Sequence, residues 1–473
     1  MTARFMLPAC TAILLLVSFA SAAQTAPTNR PLVTQEELAQ LEADLMARVK
    51  ENQERRCLRP VLRGKPLAGA ADADIVEVVE GKAFAPCFDL VGEQAEPLRA
   101  WLDLGTHEAG PPAALVDACA GLPAAVTRAA RHEDSCSPYL FGRRAVPRLV
   151  TAVRGAKALA MQVRMLADAG KSAQALSLGL DSLRFYQDLA RGSGAPLIAG
   201  MLATAAQEIL VRDGLRPVLS GAPPSGADLQ KAAGEVEALL ASEPGFCDFL
   251  PYERYGMPLQ LLLPGLKGKG WVPPGGFDDL GPVPEQPEGG AAPGSSKWNE
   301  LAMTWLGLER VHGMLGQACL GAPGALALKG ALDGLGVELA SRASGSNWRR
   351  MLSVLVSPDP VLTIREWVFD ILGGIAVPSF GKYVLKFMER RFQLQALRIH
   401  LEILRENGSS GKCPPMGPPV DQRFEGVFRD SASVEPMQVD VAADGTITLR
   451  PSTAFCAALG EADKPPEYTF VCR

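Results

Sequence analysis

Thr34-Gln35-Glu36-Glu37 has the form of a capping box, in which the Thr34 hydroxyl and the Glu37 carboxylate each satisfy the other's free amide. Leu38, Leu41, Leu45 and Val49 follow on one helical face, so the spacing predicts a first helix running to about Arg56. Arg59-Pro60-Val61-Leu62-Arg63-Gly64-Lys65-Pro66 must then be extended, because each proline disfavours helical backbone at the residue before it. Residues 70 to 141 read as short helices interrupted by glycine and proline.

From Pro147 to Leu219 the helical period is clearer. Leu159, Val163 and Leu166 line one helix, Gly170 ends it, and Leu176, Leu180, Leu183, Tyr186 and Leu189 line the next. This is a helical hairpin, and Ala158 to Leu176, with Ala173 and Ala175 past the turn, resembles a single tetratricopeptide-type unit. No second copy recurs at a fixed period, so a stacked solenoid does not follow.

Further on, Leu301, Trp305, Leu308, His312, Leu315 and Cys319 keep a four-three spacing, which predicts a core face or a helix-pair seam. Lys382 to Glu406 is the longest uninterrupted helical reading, about 25 residues or about 37 Å. It carries two adjacent apolar stripes, Leu385, Met388, Phe392, Ile399 and Ile403 beside Leu394, Leu397, Leu401 and Leu404, and so predicts burial against two neighbours. Asn407-Gly408 ends it.

After Cys413 the pattern changes to a small β unit. Gln438 to Ala442 and Thr446 to Arg450 flank Ala443-Asp444-Gly445. A two-residue turn would set Val441 opposite Thr448 and mix the faces, whereas a three-residue loop with Gly445 left-handed sets Val441 opposite Ile447 and Val439 opposite Leu449. The three-residue loop is the expectation. Tyr468, Phe470 and Cys472 alternate in a third strand.

The fold class is therefore mainly α: a multi-helix array of helical hairpins, one of them tetratricopeptide-like, with a small C-terminal antiparallel β unit. Composition agrees, since 473 residues at 47% hydrophobic and 21% charged exclude disordered and collagen-like classes. It adds one division, because residues 264–297 hold 16 Gly or Pro in 34 positions and form a loop or linker. The expected organisation is a signal peptide at 1–22, a flexible lead-in at 23–33, a helical domain at 34–263, that loop at 264–297, a second helical domain at 298–407 and the β unit at 408–473.

Phe5 to Ala20 is an apolar run behind Arg4 and ahead of Ala20-Ser21-Ala22, a small-x-small site that a signal peptidase could cut; the alternative is an uncleaved anchor. No later window supplies about 18 apolar residues free of charge and proline, so no transmembrane segment is expected after cleavage. Export to the periplasm or the exterior is the expectation. The net charge of −5 becomes more negative with the loss of Arg4, which argues against a nucleic-acid partner.

Nine cysteines remain after such a cut, and in an oxidising compartment most should pair. None lies in a C-x-x-C, and closeness in sequence suggests Cys57 with Cys87, Cys119 with Cys136, Cys247 with Cys319 and Cys456 with Cys472. The odd number requires a leftover thiol, an intermolecular bridge or a bound ligand.

The chain has no G-x-S-x-G, no G-x-x-x-x-G-K-[ST], no G-x-G-x-x-G and no H-E-x-x-H. Ser379-Phe380-Gly381-Lys382 matches S-x-x-K, but its partner motifs are missing and Ser379 beside Pro378 reads as a helix cap. The densest set of metal-ligating side chains is His107 with His132, Glu133 and Asp134, where an imidazole pair and a carboxylate would hold zinc and leave a position open for water; the alternative is a polar loop tied down by Cys136. His312, alone among Leu and Trp, reads as a core histidine bonded to a backbone carbonyl. Arg143, Arg154, Lys157 and Arg164 fall on one helical stripe with no acid between residues 135 and 167, a surface for an anionic lipid or glycan or a face solvated and paired with acids from other helices. Pro147 interrupts that stripe after Arg143.

Three of these features together, Arg59-Pro60-x-x-Arg63-Gly64-x-Pro66, the Ala- and Leu-rich hairpin from Ala158 to Leu189, and the long helix with a small β tail, resemble exported helical proteins of bacterial, myxobacterial type that have no assigned activity. The tail also resembles the layout of pseudopilins without their N-terminal processing signature. The resemblance implies an architecture and no residue roles. The expected function is a non-enzymatic envelope scaffold or binding protein with no cofactor, its partner an envelope protein or an anionic lipid or glycan. The alternative is an exported metal-assisted hydrolase using the His107 and His132 region.

Overall fold

A computed structural model describes residues 33–103, 110–140, 149–221, 223–268, 290–292, 295–343, 360–410, 437–459 and 465–471. It is mainly helical, with a three-stranded antiparallel sheet near the C-terminus. By contacts the chain divides into two compact units, each built from separate stretches: Met1–Arg55, Leu140–Ala145 and Phe246–Val384 in one, Arg56–Tyr139, Val146–Gly245 and Leu385–Arg473 in the other. The expected bounds at 263 and 298 both fall inside the first.

In the first unit, helix α1 (Gln35–Gln53) starts at the predicted capping box: the Thr34 amide donates to Glu37 Oε2 at 2.9 Å and the Glu37 amide to Thr34 Oγ1 at 3.1 Å. Its apolar face, with Leu38, Leu45 and Val49, is buried with Leu259, Leu263, Trp298 and Trp305. The Gly- and Pro-rich stretch does not begin where its composition suggests, since Pro264 to Lys267 belong to a helical turn, Leu263–Lys267, in which Pro264 lies at the first turn and needs no amide partner. A helix from Ser296 to Gly321 carries the four-three stripe, and Cys319 near its end bonds to Cys247, as expected.

The second unit contains two strands that no periodicity predicts. Strand β1 (Leu67–Ala70) pairs in parallel with β2 (His132–Asp134), with Leu67 against His132 and Ala70 against Asp134. Five described helices lie between them in sequence: α2 (Asp72–Glu80), α3 (Ala85–Glu93), α4 (Ala95–Asp103), α5 (Ala113–Ala118) and α6 (Leu122–Ala129). The disulfides here are Cys57–Cys136 and Cys87–Cys119, which corrects the expected Cys57–Cys87 and Cys119–Cys136. The reason is tertiary. The Asp134 carboxylate accepts the Cys57 amide at 2.8 Å and the Ser135 amide donates to the Cys57 carbonyl, so Cys57 is laid against β2, while α3 packs on α5 and brings Cys87 to Cys119.

The predicted hairpin is α7 (Leu149–Asp168) and α8 (Ser172–Asp188). Gly170, at φ +73°, turns the chain, with the Lys171 amide donating to Leu166 O and the Gly170 amide to Ala167 O, the two bonds of a Schellman cap. Helix α9 (Leu197–Ile209) packs on both and runs into a π-helical turn, Leu210–Leu215, and then α10 (Arg216–Ser220). A Cβ at Gly179 would lie 2.3 Å from Leu215 Cδ2, so the bare backbone there lets the π turn approach α8. Helix α11 (Gly226–Ala241) completes this layer.

The long helix, α12, spans Pro360–Ser410, 51 residues against the expected 25 or so, or about 76 Å at the standard rise. Pro378 is carried inside it, so Ser379-x-x-Lys382 lies in mid-helix and Ser379 is not a cap. The β unit has the expected register: β3 (Gln438–Val441) pairs with β4 (Thr446–Arg450), Val439 opposite Leu449 and Val441 opposite Ile447, with Gly445 at φ +81°. Strand β5 (Tyr468–Val471) adds antiparallel to β4 after a short helix, Thr453–Leu459, that the pattern does not predict. Ile447, Leu449, Tyr468 and Phe470 join one core with Leu397, Leu401, Leu183 and Ile75. No helix among the described residues is long and apolar enough to cross a membrane.

Candidate functional site

The polar residues of the second unit converge on the proline-bounded segment that follows α1. Because Arg59-Pro60 and Lys65-Pro66 are held extended, Arg59 and Arg63 project four residues apart into the helical layer instead of around a helix. Arg59 Nη2 donates to Asp188 Oδ2 at 2.8 Å and Nη1 to the Ala130 carbonyl at 3.0 Å. Asp188 also accepts from Arg191 at 3.0 Å, and Arg184 donates to the Pro60 carbonyl at 2.9 Å. Burial pulls the Arg184 guanidinium down to about 10, with the neighbouring Arg59 charge acting in the same direction.

Arg63 makes the second half of this lattice. Its Nε donates to Glu235 Oε1 at 2.7 Å, and its Nη1 donates to the carbonyl and hydroxyl of Ser177. The same Nη1 lies 3.9 Å from Asp181, whose other oxygen accepts from Thr127 Oγ1 at 3.1 Å. Ser177, Asp181 and Asp188 stand at four- and seven-residue intervals and so share one face of α8. Burial raises the Asp181 carboxyl to about 6, outweighing the attraction of Arg63 and the bond from Thr127.

Above this lattice a groove of about 540 Å³ opens between α6 and α8, with Thr127, Arg128 and Arg131 on one wall and Gln174, Ser177 and Asp181 on the other. Arg131 is held in place by two donations to the Lys65 carbonyl, and Arg128 by Asp74 and Glu77. The walls thus present fixed donors facing a carboxyl that changes charge near pH 6.

The side chains singled out from the sequence are distributed differently. His132 Nε2 lies 2.8 Å from Asp74 and Nδ1 3.2 Å from the Gly69 carbonyl, so both ring nitrogens are engaged. Glu133 is exposed, and Asp134 holds the Cys57 amide and Arg56. His107 lies outside the described residues, among which no three His, Cys, Asp or Glu side chains gather to hold a metal.

In the basic stripe, Arg154 pairs with Asp89 at 3.5 Å, Lys157 is half-buried, and Arg164 is buried with its guanidinium 5.8 Å over the Trp101 ring. Arg143, Arg144 and Arg148 lie outside the described residues, as does Cys472; Cys456 Sγ is 3.8 Å from the Pro451 carbonyl. His312 is a core residue whose Nδ1 donates to Leu308 O at 2.7 Å, and burial lowers it to about 4.

The residues of the groove lattice were not singled out as a site by the sequence. Arg59 and Arg63 stood in a noted motif without a role, and the remaining signal was the recurrence of Ser177, Asp181 and Asp188 on one face of an otherwise apolar helix. Compared with protein-family models, with curated proteins and with solved structures, the chain matches none of them.

Proposed function

We propose that the chain is an exported, non-catalytic binding protein of the cell envelope that takes its partner in the groove between α6 and α8. One observation carries this reading: Arg63, itself half-buried, fixes Ser177 and Asp181 at the wall of the groove and is tied to Glu235 behind them. Beside it the Arg59–Asp188 pair is fully buried, and because such pairs give little net stability over an apolar core of equal volume, its presence fits geometry held for recognition. The three disulfides fit an oxidising compartment and support export.

The test is capture from a solubilised envelope fraction by the mature chain, compared with Asp181→Asn and Gln174→Ala variants whose far-ultraviolet circular dichroism shows the parent's helical fold. A partner retained by the parent chain, weakened by salt and lost from both variants is the expected result. Equal capture by the variants would overturn the groove as the recognition surface. Stoichiometric zinc in native mass spectrometry, with a chelator-sensitive hydrolytic activity, would overturn the non-catalytic reading in favour of chemistry around His107 and His132.

A further inference from the structure

A second cleft, of about 420 Å³, opens at the π turn and is independent of the groove between α6 and α8. Arg164 reaches it from α7, Arg212 from the π turn and Arg216 from the start of α10, with Asp103, Asp168 and Asp213 beside them. These six charges are not equivalent. Arg212 grips Asp213 with two bonds, of 2.6 and 2.8 Å, and Asp103 accepts from Arg99 at 3.3 Å, so those charges are spent.

Arg164 is buried, donates to the Leu102 carbonyl at 3.4 Å and lies over Trp101. Arg216 is half-buried, and its guanidinium makes no hydrogen bond or ion pair among the described residues, its charge being felt by the buried His400 and Tyr468 behind it. Asp168 is exposed and likewise makes none, acting only through its field on Arg164. One cleft therefore presents an unpaired guanidinium, a second guanidinium held against an aromatic ring, and an unpaired carboxylate.

The π turn explains how this set is brought together. Its extra residue breaks the ordinary helical register, lets the consecutive Arg212 and Asp213 close a fork on each other, and passes Arg216 to the cleft; such insertions recur at functional sites. We infer that this cleft is a binding site for a protonated oxyanion: hydrogen phosphate, free or as the monoanion of a phosphate monoester, with Arg216 and Arg164 donating to its oxygens and Asp168 accepting its proton. Guanidinium groups match phosphate oxygens in a planar fork. An ionised carboxylate can only accept, so it welcomes an oxyanion that carries a hydrogen and repels one that does not. Sulfate, of similar size and without that hydrogen, is the discriminating comparison.

The experiment is calorimetric titration of the mature chain at about pH 6.5, where a monoester still carries a proton on a substantial fraction of molecules. The probes are inorganic phosphate, glycerol phosphate, sulfate and phosphatidylglycerol vesicles. Saturable binding of inorganic phosphate, with sulfate weaker by about tenfold or more, is expected, one charge-assisted hydrogen bond being worth that ratio. Glycerol phosphate binding as well assigns the site to monoesters; its failure to bind while phosphate binds assigns it to the free ion.

Arg216→Ala should weaken phosphate by about tenfold or more, and Asp168→Asn should narrow the preference over sulfate. The phosphate-to-sulfate ratio is read on the unaltered chain and stands even if a variant misfolds. No saturable phosphate binding, sulfate as tight as phosphate, unchanged affinity in a folded Arg216→Ala chain, or binding of the vesicles alone would overturn the inference. Asp181→Asn should leave these titrations unchanged, which separates this site from the groove.

Discussion

Arg59 and Asp188 form an ion pair at 2.8 Å with side chains only 2% and 1% exposed, although 129 residues separate them along the chain. Removing one partner leaves the other charged and dehydrated. Asp188→Asn is therefore expected to lower unfolding free energy by about 3 to 5 kcal/mol, and joint replacement by Arg59→Met and Asp188→Leu to recover a large part of it. Urea denaturation measures both, and a loss under about 1 kcal/mol for Asp188→Asn would contradict a pair closed to water.

The disulfides make a connectivity prediction. Peptide mapping without reduction should recover Cys57–Cys136, Cys87–Cys119 and Cys247–Cys319 as cross-linked pairs. Loss of the Cys57–Cys136 bond, whose partners are 79 residues apart, should cost about 4 to 5 kcal/mol on the chain-entropy view, and thermal unfolding of a Cys57→Ser, Cys136→Ser chain reads it.

Asp181 sets one pH dependence. Its carboxyl rises to about 6 in the folded chain against 3.8 when unfolded, so the folded state holds the proton more tightly. Its contribution to stability grows as pH falls through about 6 and is complete below about 4. Asp181→Asn should be more stable than the parent at neutral pH, on the order of 1 to 3 kcal/mol, with the difference vanishing near pH 4. A pH-independent difference would sink this assignment.

His312 and His400 act in the opposite sense. Burial lowers them to about 4 and about 3 from 6.5, so each is neutral in the folded chain and takes up a proton on unfolding. Their contribution is complete above pH 6.5 and is lost as pH falls towards the folded values. His312→Leu should flatten the decline of the denaturation midpoint between about pH 6.5 and 4, and an unchanged slope would show that this ring does not titrate with folding.

Much of the helical layer was legible because one apolar face per helix was enough to place it, as in α1, α7 and α8. The β3–β4 register was legible for the same reason: only one loop length keeps Val439, Val441, Ile447 and Leu449 on one face. β1 and β2 were not, because Leu67-Ala-Gly-Ala70 and His132-Glu-Asp134 are too short to show alternation and their pairing joins segments 60-odd residues apart. The disulfides failed where sequence closeness stood in for packing. The long helix was underestimated because Pro378 reads as a break, whereas α12 carries it. The groove lattice was hidden for a related reason: Arg59 finds Asp188 only once β2 and the hairpin have been laid together.

The C-terminal strands contribute Ile447, Leu449, Tyr468 and Phe470 to the same core that holds Ile75 and Val78 from α2. The order of synthesis and the order of burial therefore run against each other: the core that begins with Ile75 and Val78 is complete only when β5, the last strand, has been delivered. A product broken off before Tyr468 would leave that core open and recognisable to proteases.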